Sequence, residues 1–306
     1  MPRDPVDAIF ALHGIQGAWK VLAATGVANR IYATQDVVLR IATDHPDAVV
    51  DARTESVAAP AAFEAGVMTP RLIVFDDSRT LIDRPYSIWE HIHADTLGLV
   101  ELETNQLEEV WWEVGREIGR LHSGVCVCPD PNGYLDTPGR EFNLDSVLKR
   151  LVDARHTSDA TAGEIALLIR DLSPYISRTN SDCFVHNDLH GMNIMCSRTG
   201  DLRAILDWGD AGWGDPALDF AAVPLDQMSS ALEGYGPENR QRLGDAPEAR
   251  FVWDRLHNAM DDAIENAEKL VPIAAYRRFL ENRQGSVRRA AGRGRLRFLP
   301  GRGTSQ

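Results

Sequence analysis

The sequence has few features of a membrane or secreted protein. None of its 306 residues lies in an apolar run close to the roughly 20 residues that span a bilayer. Only four residues are cysteine, and the paired C-x-x-C spacing of common zinc sites is missing. Residues 1–7 contain no apolar segment of the signal-peptide type. These absences predict a cytoplasmic protein with free thiols and no membrane partner.

Positive charge is scarce except at the C-terminal end. The formal net charge is −13, and the last twenty residues carry six arginines and no acid, so residues 1–286 alone carry −19, which is −13 minus 6. An acidic body repels nucleic acid and favours cationic partners, although the same charge can serve solubility alone. We expect no nucleic-acid partner, and we expect the basic segment 287–306 to be disordered.

The apolar pattern divides the chain into a strand-rich part, residues 1–93, and a helical part, residues 94–286. The first part predicts one main helix at 51–65, kinked or divided at Pro60, and strands at 19–23, 28–33, 37–42, 71–75 and 86–91. The second part predicts strands at 183–186 and 202–206, and helices at 104–123, 143–155, 161–177, 216–233, 238–268 and 272–283. This order predicts an α+β fold with two lobes.

One constellation of polar residues stands out in the second part. Residues 186–193 read His-Asn-Asp-Leu-His-Gly-Met-Asn, and fourteen residues after Asn193 an apolar run ends at Asp207. An aspartate, an asparagine five residues later and a second aspartate after a strand form the pattern of a kinase catalytic loop and its metal-binding aspartate.

The residue types in this pattern suit phosphoryl transfer. Mg²⁺ prefers oxygen ligands, which Asn193 and Asp207 supply. Asp188 supplies a carboxylate that orients the incoming hydroxyl. We expect His186 to pack behind the loop and to bond backbone atoms as a structural residue.

Segments 186–193 and 206–220 resemble the aminoglycoside phosphotransferase family, and the resemblance runs in order over about residues 14–280. The family includes antibiotic kinases and metabolite kinases. The resemblance implies a two-lobed protein-kinase-like fold, with an antiparallel N-terminal sheet and a mostly helical C-terminal lobe. It also implies ATP or GTP and Mg²⁺ as cofactors. Asp215 and Asp219 are then expected to brace the catalytic lobe through backbone hydrogen bonds.

The same resemblance assigns a nucleotide site to residues 1–93. Arg40 occupies the strand position where protein kinases carry lysine, and Glu55 on the main helix is its expected partner. The segment 87–92 resembles the hinge, with Trp89 at the gatekeeper position. The remaining residues expected to bind nucleotide are Thr25, Gly26 and Asn29 in the phosphate loop, and Glu90 and Ile92 through their backbone atoms.

Two features argue against a protein substrate. His190 stands where protein Ser/Thr kinases usually have lysine, and only seven residues separate Asp207 from Asp215, too few for an activation loop. A small-molecule hydroxyl acceptor is expected instead. In antibiotic kinases, acidic residues of the C-terminal lobe hold substrate ammonium groups. The matching candidates here are Asp210, which follows Asp207, and four acids on the predicted late helix, Asp254, Asp261, Asp262 and Glu265.

Three functions remain open at this point. The leading one is an antibiotic O-phosphotransferase that modifies a cationic aminoglycoside or peptide antibiotic. The second is a metabolite kinase for choline or ethanolamine, homoserine or a sugar-like acceptor, which Arg255 and His257 among the acids would also suit. The third, from another class, is a catalytically inactive nucleotide-binding protein of the same fold.

Overall fold

The computed structural model describes residues 5–22, 28–135, 140, 143–176, 183–266 and 272–290, without the side chains of 265–266 and 284–290. Its first part is an antiparallel five-stranded sheet of order β1-β2-β3-β5-β4. The elements are α1 (Pro5–Leu12), β1 (Lys20–Leu22), β2 (Asn29–Ala33), β3 (Val37–Ala42), α2 (Ala48–Glu64), β4 (Leu72–Asp76) and β5 (Tyr86–Glu90).

The second part is mostly helical, with two small sheets that carry the loops of interest. Strand β7 pairs with β10, and β6, β8 and β9 form a three-stranded sheet. The elements are β6 (Asp95–Thr96), α3 (Thr104–Gly124), α4 (Leu144–Asp153), α5 (Asp159–Ile176), β7 (Cys183–Val185), β8 (Ile194–Cys196), β9 (Leu202–Ile205), β10 (Gly212–Gly214), α6 (Met228–Tyr235), α7 (Pro237–Arg240), α8 (Pro247–Asn266) and α9 (Ile273–Ala290). No helix in the described ranges is long and apolar enough to cross a bilayer.

Alternation along β3 separates the core of the N-terminal sheet from its functional face. Leu39 and Ile41 are buried with residues of α1, among them Ile9 and Phe10, on one face of the sheet. Because successive side chains on a strand point to opposite faces, Arg40 points to the other face, toward α2. The burial of the apolar face therefore fixes the direction of Arg40, the charged residue of the central strand β3.

Helix α2 is continuous through Pro60, so it is not divided there. Three other predicted helices differ from the observed ones. The prediction at 216–233 is wrong in its first half, since only a short 3₁₀ turn forms before Pro224, which has no N–H to continue a helix, and α6 begins at Met228. The long helix at 238–268 is interrupted near Gly244, whose φ of 62° is left-handed. The last helix runs to Ala290, four residues into the segment predicted to be disordered, and residues 291–306 lie outside the described residues.

Helices α3 and α6 pack so closely that glycine is required at the crossing. A Cβ atom added to Gly115 would lie 1.9 Å from the carbonyl oxygen of Ala231, and one added to Gly234 would lie 1.8 Å from that of Trp112. Both neighbours are backbone atoms of a helix and cannot move away individually. The crossing thus depends on two positions without side chains.

We expect Gly234→Ala to lower the free energy of unfolding by about 3 kcal/mol, because the added methyl group forces the two helices apart. Urea unfolding measures the change. Gly163→Ala in α5 is the matched control, since a Cβ there meets nothing within 4 Å. That control should raise stability by up to about 1 kcal/mol. Equal effects of the two substitutions would contradict this packing.

Candidate active site

A cleft of about 840 Å³ lies between the two lobes. The N-terminal sheet, the start of α2 and the segment after β5 form one side, and the loops at the ends of β7 and β9 form the other. Of the residues predicted to bind nucleotide, those that line the cleft are Asn29, Arg40, Glu55, Glu90 and Ile92. Thr25 and Gly26 lie outside the described residues.

The β8–β9 hairpin brings the two halves of the catalytic pattern together. Ile194 pairs with Ile205 across the hairpin, and the amide of Leu206 donates to the carbonyl of Asn193 at 2.8 Å. Asn193 and Asp207 therefore stand side by side, and both line the cleft. The side-chain amide nitrogen of Asn193, Nδ2, donates to the Asp188 carboxylate at 2.7 Å and to the Asp188 backbone carbonyl at 3.0 Å.

Asp207 is held toward the cleft by an unusual backbone conformation. Its φ is +63°, in the left-handed region where aspartate and asparagine are the commonest residues after glycine. The next residue, Trp208, is buried, and its indole N–H donates to the Thr69 hydroxyl at 3.0 Å. With the tryptophan anchored inside, the Asp207 side chain remains 46% exposed at the cleft.

His186 has a structural position behind the loop. Its ring is buried, its Nδ1 accepts from the Asp188 amide at 3.2 Å, and its Nε2 donates to the Leu206 carbonyl at 2.8 Å. The same ring lies 4.6 Å from the ring of Trp208, between centroids. One side chain thus ties the segment of Asp188 to that of Asp207.

Asp219 fixes the start of the catalytic loop. Its two carboxylate oxygens accept from the backbone amides of His186 at 3.1 Å and Asn187 at 2.6 Å. Asn187 has a φ of +70°, so the second bond holds a left-handed residue in place. Asp219 is itself oriented by the buried His122 at 2.9 Å, and His122 by the hydroxyl of Tyr235 at 2.9 Å. The sequence did not indicate His122 or Tyr235, because they come from other helices.

Asp254 is not available to a substrate, contrary to the prediction. It is 2% exposed, and both of its carboxylate oxygens accept from Arg140, each at 2.6 Å. Arg140 also contacts Asp215 at 2.8 Å, and Arg250 contacts that same aspartate at 2.9 Å. Burial raises the pKa of Asp254 to about 6, opposed by the charge of Arg140. These residues form a buried ion network that braces the C-terminal lobe.

The remaining acceptor candidates divide by position. Asp262 lies near the catalytic loop. The hydrogen bond that Asp188 accepts from His190 raises the pKa of His190, and the charges of Asp207 and Asp262 raise it further. Asp261 pairs with His257 one turn away at 3.6 Å. The side chain of Glu265 lies outside the described residues.

Arg40 and Glu55 form the ion pair that the sequence suggested. Their side chains meet at 2.6 Å, and Arg40 also lies 3.9 Å from Asp207. Glu55 accepts in addition from the backbone amide of Trp208 at 3.3 Å. Burial alone would lower the pKa of Arg40, but the carboxylates of Glu55 and Asp207 outweigh it and raise that pKa. The guanidinium is therefore a fixed positive charge that links the sheet, α2 and the segment of Asp207.

Two carboxylates at the start of α2 also line the cleft and were missed by the sequence reasoning. Asp51 lies one helical turn before Glu55 and therefore on the same face, which was the available signal. Its backbone packs against Gly209, where an added Cβ would lie 2.9 Å from the Asp51 Cβ. Burial and the charges of Asp210 and Asp207 raise the pKa of Asp51 to about 6. Asp47 contributes a further negative charge at the cleft.

Asp210 shares this crowded environment. Partial desolvation and the charges of Asp188 and Asp207 raise the pKa of Asp210, although its side chain still reaches solvent. The cleft therefore presents carboxylates from both lobes, with Arg40 as a fixed cation beside them.

We expect Asp51→Asn to stabilise the protein at pH 7.5 by about 1 kcal/mol after allowance for solvent screening. The folded-state pKa of Asp51 exceeds that of an unfolded aspartate, so the folded state takes up a proton between about pH 4 and 6. Stability due to this group is lost as the pH rises through that window, and the asparagine avoids the loss. Thermal unfolding at pH 4 and pH 7.5 measures the stability difference between Asp51→Asn and the wild type, and substitution of an exposed aspartate, Asp171→Asn, is the control. An advantage of equal size at both pH values would contradict the account.

The donor set fits a magnesium ion carried by a nucleotide. Because the side-chain amide nitrogen of Asn193 donates to Asp188, its Oδ1 atom is the acceptor that Asn193 can offer to a ligand, and Asp207 lines the same cleft. In the described part of the chain, no group of three or more His, Cys, Asp or Glu side chains has the geometry of a metal site. Mg²⁺ commonly takes only one or two carboxylate or amide oxygens from protein and completes its shell with phosphate and water.

The chain is similar to known phosphotransferases. Viomycin phosphotransferase of Streptomyces vinaceus is 23% identical over 180 residues, which are 56% of this chain and 60% of that protein. The alignment thus spans less than two thirds of that relative.

Two solved structures share the fold. The ADP-bound aminoglycoside phosphotransferase APH(2'')-Ib has a TM-score of 0.59 and 15% identity, covering 92% of this chain and 97% of that one. A choline/ethanolamine kinase family protein from Mesorhizobium loti has a TM-score of 0.58 and 17% identity, covering 95% and 96%. The model of the phosphotransferase enzyme family (APH) matches residues 21–262. The chain therefore belongs to the phosphotransferase enzyme family.

Proposed function

We propose that the protein transfers the γ-phosphoryl group of ATP or GTP, with Mg²⁺, to a hydroxyl group of a small molecule. One observation carries the proposal: Asn193 and Asp207, from two separate segments, converge at a cleft between the lobes, and Asp188 lies beside the cleft, bonded to Asn193. Asn193 bonds Asp188 at 2.7 Å on one side and meets the segment of Asp207 through the 2.8 Å backbone bond on the other. These are the positions that phosphoryl transfer requires for the acceptor and for the metal-bound phosphates.

Each residue has a defined task in the reaction. The acceptor oxygen forms a bond to the γ-phosphorus while the bond to the bridging oxygen of the nucleoside diphosphate breaks, and the hydroxyl proton passes to Asp188. Asn193 and Asp207 hold Mg²⁺, which when bound neutralises charge on the phosphate oxygens. Arg40, held by Glu55, adds a fixed positive charge for the phosphates.

The nucleotide site is assigned to the N-terminal lobe, residues 1–93, and catalysis and acceptor binding to residues 94–286. Asn29 and the segment of Glu90 and Ile92 line the same cleft as Arg40, which supports this assignment. Trp89 is buried beside them, and its indole donates to the Ser87 hydroxyl at 2.8 Å. The base of the nucleotide is then expected to bond the backbone of residues 90–92.

The acceptor that the site favours is a cation, such as an aminoglycoside or a peptide antibiotic. The support is electrostatic: Asp47, Asp51 and Asp210 line the cleft, and Asp262 lies near the catalytic loop. Burial, and then repulsion by neighbouring carboxylates, raises the pKa of Asp51 and of Asp210, and ammonium groups would relieve that repulsion. The similarity to viomycin phosphotransferase supports an antibiotic among possible cations.

A metabolite kinase is the second candidate. The structural likeness to a choline/ethanolamine kinase family protein favours an amino alcohol, which is also a cationic acceptor with a hydroxyl group. Homoserine and sugar-like acceptors belong to the same candidate. No protein substrate is expected, because the segment between Asp207 and Asp215 is too short for a peptide platform.

A resistance screen with an acceptor panel tests the proposal. The chain and its Asp188→Asn variant are expressed in a sensitive bacterium and challenged with viomycin, kanamycin and related cationic antibiotics. ADP release is then followed in vitro with those compounds, choline, ethanolamine and homoserine. Protection by the wild type alone supports the antibiotic kinase, and turnover of an amino alcohol without protection supports the second candidate. Nucleotide binding without turnover of any acceptor would favour the inactive protein and contradict the proposal.

A further inference from the structure

The side chain of His190 is fixed in one tautomer by the backbone. Its Nδ1 atom accepts a hydrogen bond from the amide of Met192 at 3.1 Å. An amide always donates, so Nδ1 has no proton in this arrangement and the neutral ring carries its proton on Nε2.

The Nε2 atom of His190 lies within ion-pair distance of the Asp188 carboxylate. Nε2 lies 3.3 Å from the Oδ2 atom of Asp188 and 3.4 Å from the amide nitrogen of Asn193. Asn193 donates to that same Oδ2 atom at 2.7 Å. The 3.4 Å separation is therefore that of two donors that share one acceptor. The opposite assignment, with Asn193 donating to His190, would place the proton on Nδ1, against the amide of Met192.

From this geometry we propose that His190 is a positioning residue for Asp188. Its Nε2–H and the Asn193 amide together hold Oδ2, which leaves Oδ1 as the oxygen that receives the acceptor hydroxyl. The inference rests on the proposed function, in which Asp188 takes the hydroxyl proton.

The reason for a second donor is the freedom of an aspartate side chain. The terminal torsion of aspartate is broad and two-fold, so a carboxylate held by one bond rotates easily. Asp188 is 37% exposed and His190 43% exposed, so packing does not hold the carboxylate by itself. The free energy of a hydrogen bond to a charged group is large enough to change the fraction of correctly oriented carboxylate about tenfold or more.

Two substitutions at position 190 separate positioning from general support of the fold. His190→Leu removes the donor, and His190→Gln keeps an N–H donor. With Mg·ATP and viomycin, and with water as acceptor, we expect His190→Leu to lower kcat about tenfold while KM for Mg·ATP stays within about twofold. His190→Gln should recover most of the rate. Unchanged kcat in His190→Leu, or equal losses in both variants, would overturn the proposal.

The tautomer itself is measured without any turnover. Nitrogen-15 NMR of the imidazole groups, recorded while the pH is raised until the His190 signals no longer shift, distinguishes the two neutral forms, and His190→Gln assigns the signals. We expect the Nε2–H tautomer, and a dominant Nδ1–H form would overturn the proposal. This measurement decides the proposal where turnover is too slow to follow.

Different variants test the proposed function and the role of His190. Full turnover in Asp188→Asn would remove the proposed function itself. Loss of turnover in Asp188→Asn, together with unchanged turnover in His190→Leu, would remove only the role of His190.

Discussion

Replacing Asp188 with asparagine is expected to lower phosphoryl transfer about 10³-fold, the largest single effect in the site. The asparagine keeps the shape and can still meet the Asn193 side chain, but it cannot accept the hydroxyl proton. Carboxylates in this role contribute about 10²- to 10⁴-fold to the rate. The initial rate of ADP release with saturating Mg·ATP and acceptor measures the effect.

The control for this substitution is Asp171→Asn, a change of the same kind on the exposed face of α5. It should leave the rate unchanged. Nucleotide affinity should also stay within about twofold in Asp188→Asn, because Asp188 is not among the residues that line the interlobe cleft. A rate close to that of the wild type would show that the acceptor is deprotonated or oriented elsewhere.

Replacing Asp207 with asparagine is expected to have the second large effect, a loss of about 10³-fold at millimolar Mg²⁺. The substitution suits the site because asparagine tolerates the φ of +63° as aspartate does. It therefore removes the negative charge with little backbone strain, whereas alanine would add strain. A titration of the rate against Mg²⁺ concentration should show a weaker apparent affinity for the metal.

Asp210→Asn is the informative comparison for the metal prediction. It removes a carboxylate three residues away, and it should change acceptor KM more than the dependence on Mg²⁺. If both variants shifted the Mg²⁺ titration equally, the assignment of Asp207 as the metal ligand would be wrong.

The sequence predicted the elements of the site that lie within short segments. The loop of Asp188 and Asn193, the strand that ends at Asp207 and the pairing of Arg40 with Glu55 follow from local pattern and from family resemblance. The structure brings these residues together through the β8–β9 hairpin and the sheet register. Local spacing suffices for Asp188 and Asn193 because they lie in one short segment, whereas the pairing of Arg40 with Glu55 was implied by the resemblance.

Residues whose partners are distant in sequence could not be assigned in that way. Asp254 looked like a solvated acid on a late helix, but its partner Arg140 lies 114 positions earlier. Asp51 belongs to no motif, and only its position one helical turn before Glu55 could have indicated it. The predicted helix boundaries were wrong near Pro224, which lacks an N–H, and near Gly244, which has a positive φ. At both positions the backbone outweighs apolar periodicity.

The most direct measurement is a crystal structure with Mg²⁺ and a non-hydrolysable ATP analogue. The account predicts a magnesium ion about 2.1 Å from the Oδ1 atom of Asn193 and from a carboxylate oxygen of Asp207, with the γ-phosphate facing Asp188. A triphosphate bound outside the interlobe cleft, or a metal ion that neither residue contacts, would contradict it.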